Sequence, residues 1–334
     1  MRIAVVGAGA IGGYLGARLS LAGEEVTFIA RGPNLAAVQA NGLKLIAEDG
    51  TEARTTTARA FEKMTEAGPH DAVLLTVKAH QVAAVAPDLR HLCHADTAVV
   101  TMQNGIPWWY FHKHGGEYEG KPVRSADRDG TIARHIDPAR LIGSVVYPAA
   151  NLVAPGVVQV VEGNRFTLGE LDGSTTPRVQ AISASLVKAG FKAPVIADIR
   201  SEIWLKLWGN LSFNPISALT HATLVDICQF PLTRELATRM MTEAEAVANK
   251  LGVTFRVSIE RRIAGAEKVG AHKTSMLQDI ENGRPIEIEA LVGSVVELGA
   301  LTGTPTPYIS AVYACTSLLA KALNAQHGKL VITS

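Results

Sequence analysis

Short apolar runs alternate with segments of helical spacing through the first part of the chain. Arg2–Val6 has the apolar character of a buried strand, and the apolar positions of residues 14–22 recur at helical spacing before Gly23. The segments EVTFIAR, DAVLLTV and TAVVT repeat the buried-strand pattern further along. Strands that alternate with helices are typical of a parallel sheet covered by helices, so we predict an α/β fold.

The order of elements changes after residue 140. The segment IGSVVYPAANLVAPGVVQVVEGNRFTLGE predicts strands joined by a turn at Pro155-Gly156, followed by a helix over 177–189 and a strand at APVIADI. From residue 200 the pattern is helical to the end. The predicted domains are therefore residues 1–199, which hold the sheet, and residues 200–334, which are all helical.

Residues 108–140 show no clear period. They begin with the aromatic run WWYF and continue with glycines and charged residues. Aromatic side chains beside basic ones are compatible with a nucleic-acid patch, but a surface excursion anchored by its aromatics is favoured here.

The segment EIWLKLWGNLSFNP carries polar side chains at steps of four within apolar surroundings: Lys206, Asn210 and Asn214. On an α-helix such a step turns the position by only about 40°, so these side chains form one narrow stripe. Snorkelling of Lys206 to solvent is the alternative, but the apolar neighbours leave little sequence for a broad solvated face. Pro215 predicts a kink or break at Asn214. We interpret the stripe as a bent, partly buried surface for a ligand, because amides in apolar surroundings need partners.

A glycine-rich turn joins the first predicted strand to the first predicted helix: Gly7-Ala8-Gly9-Ala10-Ile11-Gly12. In this setting the first glycine permits the tight turn, the second lets a pyrophosphate approach the backbone, and the third lets helix and strand pack closely. The helix N-terminus favours the anion. We predict that this turn binds a dinucleotide and that residues 1–199 form a Rossmann-type domain. A turn that packs without a ligand is the alternative.

The second strand ends without the acid that would accept a hydrogen bond from the ribose of NAD. The chain has Ala30 and then Arg31 at this point. A guanidinium suits a 2′-phosphate, and no carboxylate is present to repel it, so we predict NADP rather than NAD. An arginine that merely caps the turn is the alternative.

Two further strands end in polar residues. DAVLLTV is followed by Lys78, and TAVVT is followed by Gln103-Asn104-Gly105 after one residue. Ligands in open α/β sheets bind beyond the carboxyl ends of the strands, so both polar ends are predicted to point toward the cofactor. A solvated strand end for Lys78 and a plain turn at Asn104-Gly105 remain the alternatives.

Composition excludes several other classes of protein. The 334 residues are 47% hydrophobic and carry a formal net charge of +1, which gives no reason to expect nucleic acid or an anionic membrane as partner. Glycines break the apolar start almost at once, unlike a signal peptide, and no apolar run is long enough to cross a bilayer. We expect a cytoplasmic protein of two domains.

Cysteines and histidines give no sign of a disulfide framework or a metal site. The three cysteines are far apart and are predicted to be buried small hydrophobes in a reducing compartment: Cys93, Cys228 and Cys315. The histidines of HLCH and HKH lack carboxylate or thiolate partners at ligand spacing: His91, His94, His112 and His114. We predict that no metal is bound.

Taken together, these motifs resemble the ketopantoate reductase family (2-dehydropantoate 2-reductase) over nearly the whole chain. The resemblance rests on GAGAIGG, Arg31, VKA with Lys78, QNG with Asn104, EIWLKLWGNLSFNP, and TSMLQDIENGRPIEIE near the end. The first motif is shared by many dehydrogenases, whereas the last two are much more specific. The family implies a Rossmann domain joined to an all-helical domain, with NADPH and a 2-oxo acid in the cleft between them. The implied activity is reduction of ketopantoate to pantoate in pantothenate biosynthesis.

The resemblance also implies roles for individual residues. Lys206 looks like the proton donor, and Glu287 falls where the family has a glutamate near the cofactor and the lysine. The residues that resemble substrate contacts are Asn104, Lys206, Asn210, Asn214 and Ser275. Asn104 also looks like a cofactor contact, and Ala150 in YPAA is a weaker match that offers only its backbone. A helix N-cap is the alternative for Ser275, and an exposed acid at a charged helix start is the alternative for Glu287.

Two differences from the family pattern weaken the assignment of ketopantoate as the substrate. Some family members have a further asparagine after the NP helix, where this chain reads Ala222-Thr223-Leu224, and the aromatic excursion is longer than expected. A reductase of a different 2-oxo acid therefore stays open, as does an NADP-binding sensor without activity. The sequence does not determine the oligomeric state, and a homodimer is kept open.

Overall fold

The computed structural model describes residues 1–55 and 59–332 of the chain. Within them the strands are β1 (Arg2–Val6), β2 (Glu25–Ile29), β3 (Lys44–Ile46), β4 (Glu52–Arg54), β5 (Arg59–Phe61), β6 (His70–Leu75), β7 (Cys93–Thr101), β8 (Leu141–Val146), β9 (Ala149–Ala154), β10 (Val157–Glu162) and β11 (Phe166–Glu170). The α-helices are α1 (Ala10–Leu21), α2 (Gly32–Asn41), α3 (Val82–Val85), α4 (Thr131–His135), α5 (Pro177–Lys188), α6 (Ile199–Thr220), α7 (Leu224–Gln229), α8 (Pro231–Lys250), α9 (Ile259–Val269), α10 (Ser275–Glu281), α11 (Ser294–Thr302) and α12 (Pro307–Gln326). A π-helical turn, Glu289–Gly293, leads into α11.

A seven-stranded sheet has the order β11-β8-β7-β6-β1-β2-β5. Its strands pair in parallel except for β11, which pairs antiparallel with β8 at one edge. A smaller sheet has the order β4-β3-β10-β9, and β9 and β10 are joined at the predicted Pro155-Gly156 turn. The predicted parallel sheet, the predicted strands of residues 142–170 and the helical pattern from residue 200 are confirmed.

The register brings the carboxyl ends of the central strands to one level. Val6 pairs with Ile29 on one side and with Leu75 on the other, and Leu75 pairs with Thr101. The ladder continues by one bond into the following turn, where Gly7 N donates to Ile29 O at 3.0 Å. The turns after β1, β2, β6 and β7 therefore start at the same edge of the sheet, where ligands bind in this architecture.

One predicted strand is wrong. The segment APVIADI forms one isolated bridge to the neighbouring strand, between Leu168 and Val195. Pro194 accepts a hydrogen bond from Leu168 N at 2.9 Å but has no N–H to donate in return. A continuous ladder is therefore interrupted where the apolar pattern predicted one.

The chain folds into two compact units. The sheet unit comprises Met1–Gln103, Phe111–Pro122 and Asp129–Ile199. The helical unit comprises Asn104–Tyr110, Val123–Arg128 and Arg200–Ser334. Two short segments that precede residue 200 in the chain thus fold with the helices.

The aromatic run WWYF lies in the interior. Trp108, Trp109, Tyr110 and Phe111 are all buried. Within the helical unit, Trp204 Nε1 donates a hydrogen bond to Tyr110 Oη at 2.8 Å. The aromatic rings therefore anchor the segment as predicted, because their large apolar area is buried as core, while residues 112–122 that follow are mostly exposed.

Helix α6 runs unbroken through Pro215, so the predicted break at Asn214 is wrong. A proline in a helix interior costs about 3 kcal/mol. Trp204, Trp208 and Leu211 of the same helix are completely buried. Burial of side chains this large contributes roughly 1.5–3 kcal/mol each, which is enough to keep the helix continuous despite the proline.

The cysteines are only partly as predicted. All three are free thiols, but only Cys228 is buried, whereas Cys93 is half-buried and Cys315 is exposed on α12. Cys93 Sγ donates to Leu89 O at 3.3 Å. The prediction of three buried cysteines is wrong for Cys93 and Cys315, because spacing along the chain does not say which face of an element carries each one.

Close packing of α1 against β2 depends on a glycine. An ideal Cβ added to Gly16 would lie 2.2 Å from the ring of Phe28. Phe28 is completely buried, so its ring has little room to move. Gly265 on α9 is the opposite case, since a Cβ added there meets no atom within 4 Å among the described residues.

These two helical glycines predict opposite effects of alanine on stability. Gly265→Ala should stabilise the protein by up to about 1 kcal/mol through helix propensity. Gly16→Ala gains the same propensity but overpacks the core, so we expect a net loss of about 1–3 kcal/mol. Melting temperatures of the two variants and the unmodified protein test this. A Gly16→Ala variant that melts as high as Gly265→Ala would contradict the close contact with Phe28.

Candidate active site

The glycine turn has the form that a dinucleotide site requires. Gly7 has a φ of +105°, which side chains rarely adopt. A Cβ on Gly12 would lie 2.0 Å from Gly7 O, whereas a Cβ on Gly9 would meet nothing within 4 Å in the described structure. Among the described residues no side chain caps the N-terminus of α1, and its first turn has no acidic residue. The turn therefore combines a tight fold with an open approach to a helix N-terminus, which fits a pyrophosphate.

Two polar side chains hold this turn in place, and the sequence analysis missed both. Thr76 Oγ1 donates to Gly7 O at 2.8 Å and to Val6 O at 3.0 Å. Asn34 Nδ2 donates to Ala8 O, and Asn34 Oδ1 accepts from Gly156 N at 2.7 Å. A threonine directly after a buried strand and an asparagine in RGPN were the only sequence signals for these contacts.

Other predicted cofactor residues surround the same sheet edge. Arg31 is exposed and forms the N-cap position of α2, directly beyond the end of β2. Lys78 follows β6 and is half-buried. Ala150 lies in β9, pairs with Val160 and packs against the hydrophobic core, so only its backbone is available to a ligand.

The two polar residues that follow β7, Gln103 and Asn104, make different contacts. Gln103 Nε2 donates to Leu75 O at 2.7 Å and to Val77 O at 2.9 Å, so this side chain ties two strand ends together. Asn104, the next residue, belongs to the helical unit.

The Lys206 ammonium is hydrogen-bonded to Asn104. Lys206 Nζ donates to Asn104 Oδ1 at 2.6 Å. The lysine is half-buried on α6, so it does not snorkel to solvent as a plain surface lysine would. The two residues are far apart in sequence, and the contact joins two predicted site residues.

A glycine and a π-helical turn fix the position of Asn104. Gly105 has a φ of +90°, and a Cβ there would lie 2.1 Å from Ala290 O. The same carbonyl accepts a hydrogen bond from Ile106 N at 3.0 Å. Ala290 lies in the π-helical turn, a feature that is often found at functional sites. Asn104-Gly105 is therefore more than a plain turn, because its glycine permits this close approach.

Burial lowers the pKa of Lys206 to about 8, since desolvation disfavours the ammonium form. The carboxylate of Glu287 acts in the opposite direction and raises this pKa, whereas the guanidinium of Arg262 lowers it further. A lysine with a pKa near 8 is still mostly protonated at neutral pH and gives up its proton more readily than an ordinary lysine. This is the protonation behaviour of a general acid.

The rest of the polar stripe leads to the start of α10. Asn210 is half-buried, and Asn214 is 5% exposed with its Nδ2 3.5 Å from Ser275 Oγ. The N-cap of α10 is Thr274, whose side chain accepts from Leu277 N at 3.3 Å. The N-cap alternative for Ser275 is therefore wrong. Ser275 is exposed, and its hydroxyl faces the stripe.

Glu287 is half-buried just before the π-helical turn. Its backbone O accepts from Leu291 N at 3.2 Å. The neighbouring acid of the same motif, Glu289, is exposed and accepts a hydrogen bond from Tyr313 Oη at 2.8 Å. Since the charge of Glu287 acts on that of Lys206, Glu287 differs from a plain exposed acid.

Residues 1–55 and 59–332 hold no group of three or more histidine, cysteine or acidic side chains that could bind a metal ion. None of their helices is both long and apolar enough to cross a membrane.

The chain is similar to known proteins over most of its length. Residues 3–115 match the family model described as ketopantoate reductase PanE/ApbA, and residues 198–320 match that of its C-terminal part. A 2-dehydropantoate 2-reductase of Mesorhizobium japonicum is 54% identical over 321 residues, covering 96% of this chain and 98% of that protein. One of Archaeoglobus fulgidus is 29% identical and covers 89% of this chain and 90% of its own length.

Solved structures give the same result. A Ralstonia solanacearum protein named as a candidate ketopantoate reductase is 40% identical and superposes with a TM-score of 0.92 over 97% of this chain and 98% of its own. A D-mandelate dehydrogenase with NADH, 22% identical, shares the fold with a TM-score of 0.82 over 97% of this chain and 100% of its own. From the match to both family models and the identity to the Mesorhizobium enzyme, this chain belongs to the ketopantoate reductase family.

Proposed function

We propose that this protein reduces 2-dehydropantoate (ketopantoate) to pantoate with NADPH, a step of pantothenate biosynthesis. The observation that carries the proposal is the half-buried Lys206 ammonium, which is bonded to Asn104 and acted on by the Glu287 carboxylate. Reduction of a ketone places negative charge on its oxygen, and a positioned ammonium both stabilises that charge and supplies the proton.

Each side chain of the site has its own proposed role in the reaction. Bound NADPH would supply a hydride for the ketone carbon. Lys206 donates its proton to the ketone oxygen, while Glu287 keeps the lysine charged and Asn104 holds the ammonium in place. The amides and the hydroxyl at the end of the stripe are donors for the oxygens of the substrate: Asn210, Asn214 and Ser275.

The cofactor residues are proposed from the form of the glycine turn. Gly7, Gly9 and Gly12 shape the open turn, and the N-terminus of α1 favours the pyrophosphate. Arg31 is exposed at the end of β2 and would bind the 2′-phosphate, for which a guanidinium is the better partner than a carboxylate. Lys78 and the backbone of Ala150 are further proposed contacts.

A reductase of a different 2-oxo acid is the second candidate. In the Ala222-Thr223-Leu224 segment, where some relatives have an asparagine, Thr223 caps α7 through a reciprocal pair of hydrogen bonds with Asp226. Its hydroxyl donates to Asp226 Oδ2 at 2.6 Å. This side chain is therefore committed to a helix start, which favours a substrate with fewer hydroxyl groups. A sensor without activity is disfavoured, because it has no use for a proton donor.

We also propose a cytoplasmic location and a homodimer. The three free cysteines fit a reducing compartment. A Staphylococcus aureus protein named as a dimeric ketopantoate reductase has a TM-score of 0.74 and covers 97% of this chain and 100% of its own, at 21% identity.

Removal of the lysine charge tests the proton donor. Lys206→Met keeps most of the side-chain length but has neither proton nor charge, so single-turnover hydride transfer to ketopantoate should slow by about 10² to 10⁴. NADPH binding should be retained. Lys268→Met, at an exposed lysine of α9, is the control and should react at the normal rate. A rate within about threefold of the unmodified protein would remove Lys206 from the mechanism, because general acids contribute far more.

The alkaline limit of activity tests Glu287. The reaction needs the ammonium, so kcat/KM should fall as the pH rises through the pKa of Lys206, about 8. The Glu287 carboxylate raises this pKa, so Glu287→Gln should move the falling limb to lower pH. Glu289→Gln is the matched control in the same motif. An unmoved limb in Glu287→Gln, or the same displacement in both variants, counts against the assigned role.

The ratio of activities with the two nicotinamide cofactors tests Arg31. We expect a clear preference for NADPH, and Arg31→Ala should lose roughly ten- to hundredfold of it, as for a lost charge-assisted hydrogen bond. Arg90→Ala, at another exposed arginine of the sheet unit, should leave the ratio unchanged. Equal kcat/KM with NADH and NADPH in the unmodified protein would contradict the prediction.

A further inference from the structure

The side-chain amide of Asn34 binds two separate turns of the sheet unit at once. Asn34 Nδ2 donates to Ala8 O in the glycine turn, and Asn34 Oδ1 accepts from Gly156 N at 2.7 Å, in the turn between β9 and β10. A backbone carbonyl only accepts and a backbone N–H only donates, so these two contacts determine which way round the amide lies. The position therefore requires one donor and one acceptor on the same short side chain.

Asn34 also belongs to the segment that carries the predicted cofactor arginine. It is the third residue of α2, and Arg31 is the N-cap position of the same helix. Leu35 N donates to Arg31 O at 3.4 Å, so Arg31 and Asn34 lie in one helical turn. The amide thus joins the start of α2 to the glycine turn. These are the two places where the 2′-phosphate and the pyrophosphate of NADPH are proposed to bind.

The turn between β9 and β10 is fixed by further contacts. Gly156 has a φ of +71°, and its O accepts from Lys44 N at 2.8 Å while its N donates to Asn34. A Cβ on Gly156 would lie 3.1 Å from Ala37 Cβ on α2, which is closer than an ordinary contact. Because this turn is bound to β3 and packs on α2, it holds the Asn34 amide in one orientation.

We infer that Asn34 is a positioning residue for the cofactor, whose amide keeps the glycine turn and Arg31 at the spacing that one NADPH molecule needs. The inference rests on the proposed function. Two contacts to one ligand reinforce each other only when their geometry lets both form together. A link that exists before binding also removes the entropy cost of ordering the two contacts afterwards.

The second anchor of the glycine turn does not supply this link. Thr76 Oγ1 donates to Gly7 O and to Val6 O, and Thr76 directly follows β6. Loss of the Asn34 amide should therefore leave the turn folded but free to move relative to α2. Alanine is also the best helix former, so Asn34→Ala should keep α2 intact.

Binding of NADPH and of two smaller ligands tests the inference without the reaction. NADPH spans both contacts, ADP carries the pyrophosphate without the 2′-phosphate, and 2′-AMP carries the 2′-phosphate alone. In Asn34→Ala, fluorescence titration should show NADPH binding weakened about five- to thirtyfold, the cost of ordering one backbone residue on binding. Calorimetry should show ADP and 2′-AMP weakened by less than about threefold, because each uses only one contact.

A double-mutant cycle with Arg31 gives a readout that a purely structural asparagine would not move. Arg31→Ala removes the contact that Asn34 is inferred to align. Asn34→Ala should therefore cost less NADPH affinity in the Arg31→Ala protein than in the unmodified one. NADH has no 2′-phosphate, so the preference for NADPH should also narrow in Asn34→Ala although Arg31 is still present.

Gln39→Ala is the matched control on the same helix. Gln39 Nε2 donates to Ala60 O at 2.9 Å, so this variant also loses an amide bond from α2 to the backbone of a neighbouring segment. NADPH affinity and the preference over NADH should stay normal in it. Asn34→Gln is the second test variant, because it keeps the amide but displaces it by one methylene. It should weaken NADPH binding in the same direction, and melting temperatures check that each variant is folded.

The outcomes separate the inference from the proposed function. If the unmodified protein binds NADPH no better than NADH, or Arg31→Ala binds it normally, the proposed cofactor assignment fails and the inference falls with it. If that assignment holds while the folded Asn34 variants bind NADPH as Gln39→Ala does, the inference alone is overturned. Equal losses for NADPH, ADP and 2′-AMP, or additive effects in the cycle, would overturn it too, because Asn34 would then support a single contact.

Discussion

The Lys206 ammonium has lost much of its hydration, and the surrounding structure has to supply what water no longer provides. Asn104 Oδ1 accepts a hydrogen bond from Lys206 Nζ at 2.6 Å, and the carboxylate of Glu287 opposes the cost of desolvation. The balance leaves a pKa of about 8, so the group stays charged at neutral pH but holds its proton weakly. Several contacts of the helical unit hold these groups around that charge.

Well-packed segments of the helical unit hold the Lys206 ammonium and the groups around it. Lys206 lies on a continuous helix whose tryptophans are completely buried, and Trp204 also bonds to Tyr110 at 2.8 Å, at the end of the segment that begins with Asn104. At the other end of that segment, Gly105 packs against the carbonyl of Ala290 in the π-helical turn. Core packing therefore limits the freedom of a polar contact, which is how a site keeps its geometry without a bound ligand.

The glycine turn of the sheet unit is also held in place by surrounding polar side chains, but it is arranged to receive an anion rather than to hold a cation. Level strand ends place the turn after β1 beside the turns after β2 and β6. Thr76 and Asn34 fix its carbonyls, so the helix N-terminus stays open toward an anion. Arg31 supplies positive charge at the neighbouring strand end. The proposed reduction does not require a metal ion, since the Lys206 ammonium provides both the positive charge and the proton.

Local features were determined by the sequence itself. The strand, turn and helix around Gly7, and the spacing of the polar stripe, follow from apolar periodicity and from the backbone freedom of glycine, which act over a few residues. The resemblance of motifs indicated the family and the candidate residues, but it did not show which of these residues are in contact. The tertiary structure decided that α6 continues through Pro215, that Thr274 rather than Ser275 caps α10, and that Asn34 binds both the glycine turn and the turn between β9 and β10. These outcomes depend on many weak packing contributions between residues far apart in the chain, and such contacts leave no local period to read.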